Sequence, residues 1–322
     1  MLSPDNPILG INHVGIVAHD LPALQNFYAR AAGLQPWSAL DALGLPGGGV
    51  ALAGPNAGVR LLPGASSPRR RHVSEAGFTH LCFQSPAITP LHRAFAEAGA
   101  TFHSPLVDLG TGFLYCYARD PEHNVTELEG VAPVWTEPQP WLAHVNVACA
   151  DLRAQCSFYG NLLGNQAARS PHLANDVRLD RIAAIDAVAL RMAWLQAGNM
   201  QIELIHYSAP AAAATTSVST RREAGANGHA YIAFEVSDLQ AALQHVVASG
   251  GAVPRAGSDL PVADGLAHAT DAEGNALWLL ERRWLEQHGA SFAQLPQPDI
   301  TARFAAARAQ QPQKQAQQQG AA

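Results

Sequence analysis

Apolar residues along the chain fall in short runs separated by turn-forming residues, and one arrangement of them recurs. Residues 11–34, INHVGIVAHDLPALQNFYARAAGL, open on an apolar run carrying His13. Asp20 follows, then Leu21, Leu24, Phe27 and Tyr28 at helical spacing, and the segment closes at Gly33. The pattern predicts a strand, a helix capped by the Asp20 side chain, and a left-handed helix end at glycine. Three further apolar runs bounded by turn signals predict three more strands, so each unit reads strand, helix and three strands. A lone histidine such as His13 near a strand end is also compatible with a hydrogen-bonded, half-buried residue.

The unit repeats. LAHVNVACADLRAQCSFYGNLLGN aligns without a gap on the first segment: His13 with His144, Asp20 with Asp151, Phe27-Tyr28 with Phe158-Tyr159 and Gly33 with Gly164, each pair 131 positions apart. A second kind of unit links FTHLCFQS and YARDPEHNVTELEG to AYIAFEVSDL and HATDAEGNALWLLE, with Phe83/Phe234, Gly99/Gly250, Asp120/Asp271 and Asn124/Asn275 all 151 apart. The chain thus reads as four units, two of each kind. Joining units one to two and three to four gives two domains. Residues 131–141 (VAPVWTEPQPW) are then a proline-containing linker and residues 207–227 a flexible connection. Residues 284–308 are expected to add a C-terminal helix, and QQPQKQAQQQGAA is too polar to pack.

Composition narrows the classes. With 48% apolar and 14% charged residues among 322, the chain is globular and able to bury sizeable cores. A net charge of −6 with twenty Lys and Arg offers no broad basic surface for nucleic acid, and Arg69-Arg70-Arg71 lies in a Pro/Ser/Gly-rich stretch read as a solvated loop. The four cysteines lack paired metal spacing and read as free thiols. No apolar run approaches the ~18 residues of a membrane span, and MLSPDNPILG lacks the features of a secretory signal. The expectation is a cytoplasmic protein acting on a small molecule, with no nucleic-acid or membrane partner and homo-oligomerisation left open.

The runs HVGIVAHDL, HVNVACADL, THLCFQS, IAFEVSDL, DPEHNVTELE and DAEGNALWLL resemble the vicinal oxygen chelate superfamily over residues 8–283. That group includes glyoxalase I, extradiol ring-cleaving dioxygenases, fosfomycin-resistance enzymes and bleomycin-binding proteins. The resemblance implies an α+β fold of four βαβββ modules forming two glyoxalase/extradiol-dioxygenase-like domains. These are 8–130 with a complete metal triad, the linker 131–141, 142–283 with a degenerate site, and a C-terminal extension 284–322 with a disordered tail.

Carried over position by position, the resemblance implies His13, His80 and Glu127 as metal ligands, with Leu62 at the fourth position that some members fill with glutamate. Two imidazoles and one carboxylate on one face of a metal leave open positions for substrate or dioxygen, the arrangement of non-haem Fe(II) oxygenases. Tyr117, ten residues before Glu127, takes the place of a tyrosine beside the extradiol substrate. His123 stands where a turn glycine is usual, and the expected histidine ahead of Tyr117 is missing from VDLGTG. In the second domain Tyr231 and Trp278 replace His80 and Glu127, while His144, Glu203 and His229 are candidates for a second set. The leading expectation is an extradiol-type dioxygenase using Fe(II), with Mn, Zn, Ni or Co as other divalent metals. The alternatives are a glyoxalase-type isomerase, lyase or hydrolase, and a non-catalytic protein that sequesters a small molecule.

Overall fold

The computed structural model describes residues 5–110, 113–131, 139–215, 226–254 and 265–295. Unit one comprises β1 (Ile8–Ala18), α1 (Leu21–Ala32), β2 (Gln35–Pro36), α2 (Ser38–Asp41), β3 (Val50–Ala53) and β4 (Gly58–Pro63). Unit two comprises β5 (Gly77–Ser85), α3 (Ile88–Glu97), β6 (Thr101–Phe102), β7 (Val107–Asp108), β8 (Leu114–Arg119) and β9 (Val125–Gly130). Unit three comprises β10 (Trp141–Ala148), α4 (Leu152–Leu163), β11 (Ala168–Arg169), α5 (Val177–Ala183), β12 (Ala189–Ala197) and β13 (Met200–Ala209). Unit four comprises β14 (Gly228–Val236), α6 (Leu239–Ala248), β15 (Leu266–Thr270) and β16 (Ala276–Glu281), after which α7 (Arg282–Gln287) extends the chain. Units one to three thus contain the βαβββ pattern, and unit four shows a strand, a helix and two strands among the described residues, with Ala252 bridging to Thr270, in an α+β fold.

Local chemistry sets the element ends where the pattern placed them. Asp20 accepts from Ala23 N at 3.0 Å, Asp151 from Ala154 N at 2.9 Å and Asp238 from Ala241 N at 2.7 Å, satisfying amides that a helix start leaves unpaired. Gly33 (φ 68°) and Gly164 (φ 62°) take the left-handed conformation that ends α1 and α4. The turns before β9 and β16 are built alike. Asp120 accepts from the amides of Glu122 and Asn124 and from the Tyr28 hydroxyl at 3.0 Å, and Asp271 does the same with Glu273, Asn275 and Tyr159 at 3.0 Å. His123 accordingly stands at φ 69° in the glycine-like place.

The sheets do not follow the expected pairing of units. One has the order β15-β16-β14-β1-β4-β3-β2 and joins units one and four; the other runs β11-β12-β13-β10-β5-β9-β8-β6, with β7 on β8, and joins units two and three. At the centre of each, two first strands run antiparallel, β1 with β14 and β5 with β10, and each is flanked by its own unit's last strand in parallel. Consecutive units instead meet through their helices and turns, Tyr28 with Asp120 and Tyr159 with Asp271. Helices α1, α3, α4 and α6 share one large apolar core with residues from both sheets, including Val14, Phe83, Val145 and Phe234.

All four cysteines are free and buried, and among the described residues no helix is long and apolar enough to cross a membrane. Within 207–227, β13 continues to Ala209 and a short 3-10 turn occupies Ala211–Ala213. Most of the linker (132–138) and the tail from residue 296 lie outside the described residues. Of the expected C-terminal helix, the described part is α7.

Candidate metal centre

Strand alternation decides which side chains share the face opposite the helices. On β5, His80 and Cys82 point to the side that Val125 and Glu127 occupy on β9, because those residues pair directly. On β10 and β13 the pairs His144–Gln201 and Asn146–Glu203 repeat the arrangement. The result is a convergence of His80, Glu127, His144 and Glu203, whose ligand atoms all lie within 4.8 Å of one another. His144 Nε2 is 2.9 Å from Glu127 Oε2 and 3.4 Å from Glu203 Oε2; His80 Nε2 is 3.4 Å and 3.3 Å from the same two atoms.

The four residues are between 0% and 8% exposed. Yet Nε2 of both histidines and Oε2 of Glu127 make no hydrogen bond. Buried polar atoms are ordinarily satisfied, so three such atoms facing one another, beside a second carboxylate, form a set that a cation completes. Without a cation the same convergence pairs the imidazoles with the carboxylates. Burial opposes charge on His144, but Glu203 and Glu127 outweigh it and push its pKa up to about 9. Burial likewise opposes charge on His80, and contacts with Glu127 and Glu203 raise it above the ordinary value. Burial alone would raise Glu127, whereas contact with His144 and His80 takes it down to about 2. Glu129, one alternation further along β9, is pushed up to about 7 by burial and then by Glu127.

A hydrogen-bond chain orients two of the donors. Thr79 Oγ1 donates to Asn146 Oδ1 and so accepts from His80 Nδ1, 3.3 Å away, which leaves the Nε2 lone pair facing the centre. Asn146 Nδ2 in turn donates to Glu203 Oε2 at 3.0 Å, and the Trp194 indole N–H donates to Glu203 Oε1 at 2.9 Å. Tyr117 is close by: its ring centroid lies 4.8 Å from that of His80, and it shares a cluster with Tyr207.

His13 is not part of this group. It lies in the other sheet, opposite Ala233 of β14 and Gly58 of β4, with Nδ1 2.7 Å from Asn12 Oδ1 and Nε2 3.1 Å from the Tyr231 hydroxyl. The expected triad of His13, His80 and Glu127 is therefore corrected: β5 takes β10, not β1, as its antiparallel partner, so His144 stands where His13 was expected. The expected second set fails for the same reason, since His229 pairs opposite Ile16 in the first sheet while His144 and Glu203 join His80 and Glu127. The fourth position also shifts. His13 pairs with Gly58 as His144 pairs with Gln201, so the counterpart of Glu203 is Arg60 and not Leu62.

The corresponding place in the first sheet thus holds His13, Arg60, Tyr231 and Trp278. Arg60 donates to the carbonyls of Leu45 (2.7 Å), Pro46 (3.0 Å) and Gly48 (2.6 Å) and to the Tyr231 hydroxyl (3.1 Å), and its guanidinium lies 5.5 Å from the Trp278 ring. Tyr231 and Trp278 stack at 4.1 Å. Burial, and then Arg60, hold His13 well below the usual histidine range. This cup is filled by an internal cation and an apolar cluster containing Trp37, Leu40, Leu285 and Ala290.

One signal for the correct grouping was present in the chain. Units two and three each carry a histidine and a glutamate, whereas units one and four each carry replacements; pairing the intact units yields one full donor set, and pairing neighbours yields none with four.

A sequence model described as the glyoxalase/bleomycin resistance protein/dioxygenase superfamily matches residues 10–128 and again 141–279. No curated protein matches the chain. Among solved structures, glyoxalase I from Zea mays is similar over 88% of this chain and 96% of its own, at 18% identity and a TM-score of 0.57. A candidate dioxygenase from Bacillus subtilis subsp. subtilis str. 168 is similar over 96% and 97%, at 14% identity and a TM-score of 0.55. At these identities the likeness is one of fold.

Proposed function

Since the chain belongs to the glyoxalase/bleomycin resistance protein/dioxygenase superfamily, we propose that it is a metal-dependent enzyme of the isomerase or lyase type, moving a proton on a small substrate held through two vicinal oxygens. His80, Glu127, His144 and Glu203 would hold the divalent metal. The observation that carries this reading is the second carboxylate: Glu203 joins Glu127 in the donor set, whereas a facial triad of two histidines and one carboxylate leaves three positions open.

When bound, the metal supplies Lewis-acid polarisation of the two substrate oxygens. The chain's own groups divide the remaining work. Glu203 is fixed by Trp194 on one oxygen and Asn146 on the other, so its place is that of a permanent ligand. Glu127 Oε2 receives no hydrogen bond, so this carboxylate is the one able to turn toward the substrate, take its proton at Oε2 and return it at the neighbouring atom. Tyr117 and Tyr207, with Val125 and Ile205, form an apolar wall on the same face that keeps water from the exchanging proton.

A second reading, ring cleavage of a catechol by Fe(II) and dioxygen, draws on Tyr117 beside His80. Protein loaded in turn with Zn, Ni, Co and Fe(II), assayed with and without dioxygen on α-hydroxycarbonyl compounds and catechols, separates the two. Activity retained with zinc under anaerobic conditions supports proton transfer. Turnover confined to iron with dioxygen overturns it in favour of ring cleavage.

A further inference from the structure

A cavity lies where the two sheets meet, apart from the metal centre. It encloses about 310 Å³ with its mouth included, at the lower end of the range for ligand pockets, and so suits a small ligand. Its borders are the start of β5 at Thr79, the start of β14 at His229, the turn at His123 and Asn124, and the segment carrying Arg69 and Arg71. None of the four metal donors borders it. Two arginines, three histidines, a threonine and an asparagine line it, and no carboxylate does.

The acids of the neighbouring segments are engaged. Glu75 Oε2 accepts from Arg69 at 2.5 Å and from Arg71 Nε at 3.0 Å, and its Oε1 accepts from the His72 amide at 2.9 Å, so one carboxylate holds two guanidinium groups in place. Arg71 uses only Nε in this pair, and its terminal amino groups have no hydrogen-bond partner among the described residues. Glu122 accepts from the amides of His19 and Asp20, and Asp120 from its own turn and the Tyr28 hydroxyl. A further cation stands behind the wall. Arg119, 4% exposed, donates to the carbonyls of Arg71 at 2.9 Å and His123 at 2.7 Å, and thereby fixes two of the bordering segments against each other. At the wall Arg69, Arg71 and Arg119 face a single carboxylate, Glu75, and partial enclosure lets their field act with less screening than on an open surface.

We propose that this cavity is a binding site for a small tetrahedral oxyanion, a phosphate or sulfate group, held by the terminal amino groups of Arg71 with Arg69 and the His123 imidazole. A guanidinium presents paired donors that match two oxygens of such a group. The site is independent of the chelation described under Proposed function, because no metal donor takes part in it.

Sulfate and glycerol 3-phosphate, titrated calorimetrically into full-length protein at low salt, with zinc bound and with zinc removed, test it. Saturable binding of one anion per chain is expected in both states. Arg71→Gln is expected to weaken it about tenfold. His123→Gly is the second variant: glycine suits the φ of 69° at this position, as Gly274 does in the matching turn at φ 86°, so the change removes the imidazole without straining the backbone, and several-fold weaker binding is expected. Arg93→Gln, the same loss of charge on the exposed side of α3, should leave affinity unchanged. Glycerol 3-phosphate binding more tightly than sulfate assigns the site to an organic phosphate, and equal binding assigns it to the free anion. No saturable binding, binding only when zinc is present, full affinity in both Arg71→Gln and His123→Gly, or equal weakening by Arg93→Gln overturns the inference and leaves chelation untouched.

Discussion

His144 Nε2 lies 2.9 Å from Glu127 Oε2, although the two residues belong to different repeats, unit three and unit two. The contact exists because the middle units share a sheet, and among the described residues it draws the donors of both units into one centre. Purified protein is therefore expected to bind one divalent ion. His144→Ala and His80→Ala should each lose it, whereas His13→Ala should keep it, as measured by atomic emission on dialysed samples. A second ion per chain, or metal lost on replacing His13, would contradict the arrangement.

The two carboxylates should respond differently to the loss of one oxygen. Glu203 is held by Trp194 and Asn146, so Glu203→Gln, and to a lesser degree Asn146→Leu, should weaken metal binding, the latter by about tenfold because it removes a group that orients a ligand. Glu127→Gln should retain most of the metal and abolish exchange of the substrate proton with deuterium from solvent. Metal titration paired with the exchange assay distinguishes the two outcomes, and identical behaviour of both variants would remove the division of roles.

The repeats made the architecture legible because each unit folds by local rules: Asp20 and Asp151 cap helices, Gly33 and Gly164 end them, and Asp120 and Asp271 build turns from their own neighbours. Which units share a sheet is not a local property. The apolar alternation of β1 fits β5 as well as β14, so proximity along the chain favoured His13 for the site that His144 occupies. The same limit hid Arg60, since its equivalence with Glu203 follows from a strand register, His13 to Gly58, that the spacing of apolar residues does not fix. His80 and Glu127 were legible because they lie within one unit, on strands that pair directly.

Arg60 occupies the silent cup much as a metal would, satisfying three carbonyls and the Tyr231 hydroxyl from a position 3% exposed. Arg60→Met is expected to strand those acceptors and cost about 2–4 kcal/mol of stability. Urea denaturation of the variant reads this directly. Metal content at the other cup should be unchanged, and a variant as stable as the parent would show that the guanidinium is not what closes this side.

Acid should weaken the cover over the metal cup in a defined window. His103 Nε2 accepts from Arg119 Nε at 2.8 Å, and its Nδ1 donates to the Ile182 carbonyl of α5 at 3.1 Å, so the ring must be neutral to serve both. Burial, and then Arg119, lower its pKa to about 4. The unfolded chain, with an ordinary histidine near 6.5, binds the proton first. The stability this residue contributes is thus fully present above pH ~6.5 and is lost as pH falls toward ~4. His103→Gln keeps an acceptor and a donor but no titrating group. Urea unfolding at pH 7 and pH 4.5 should show a smaller loss on acidification for the variant than for the parent, and equal losses would place the pH dependence elsewhere.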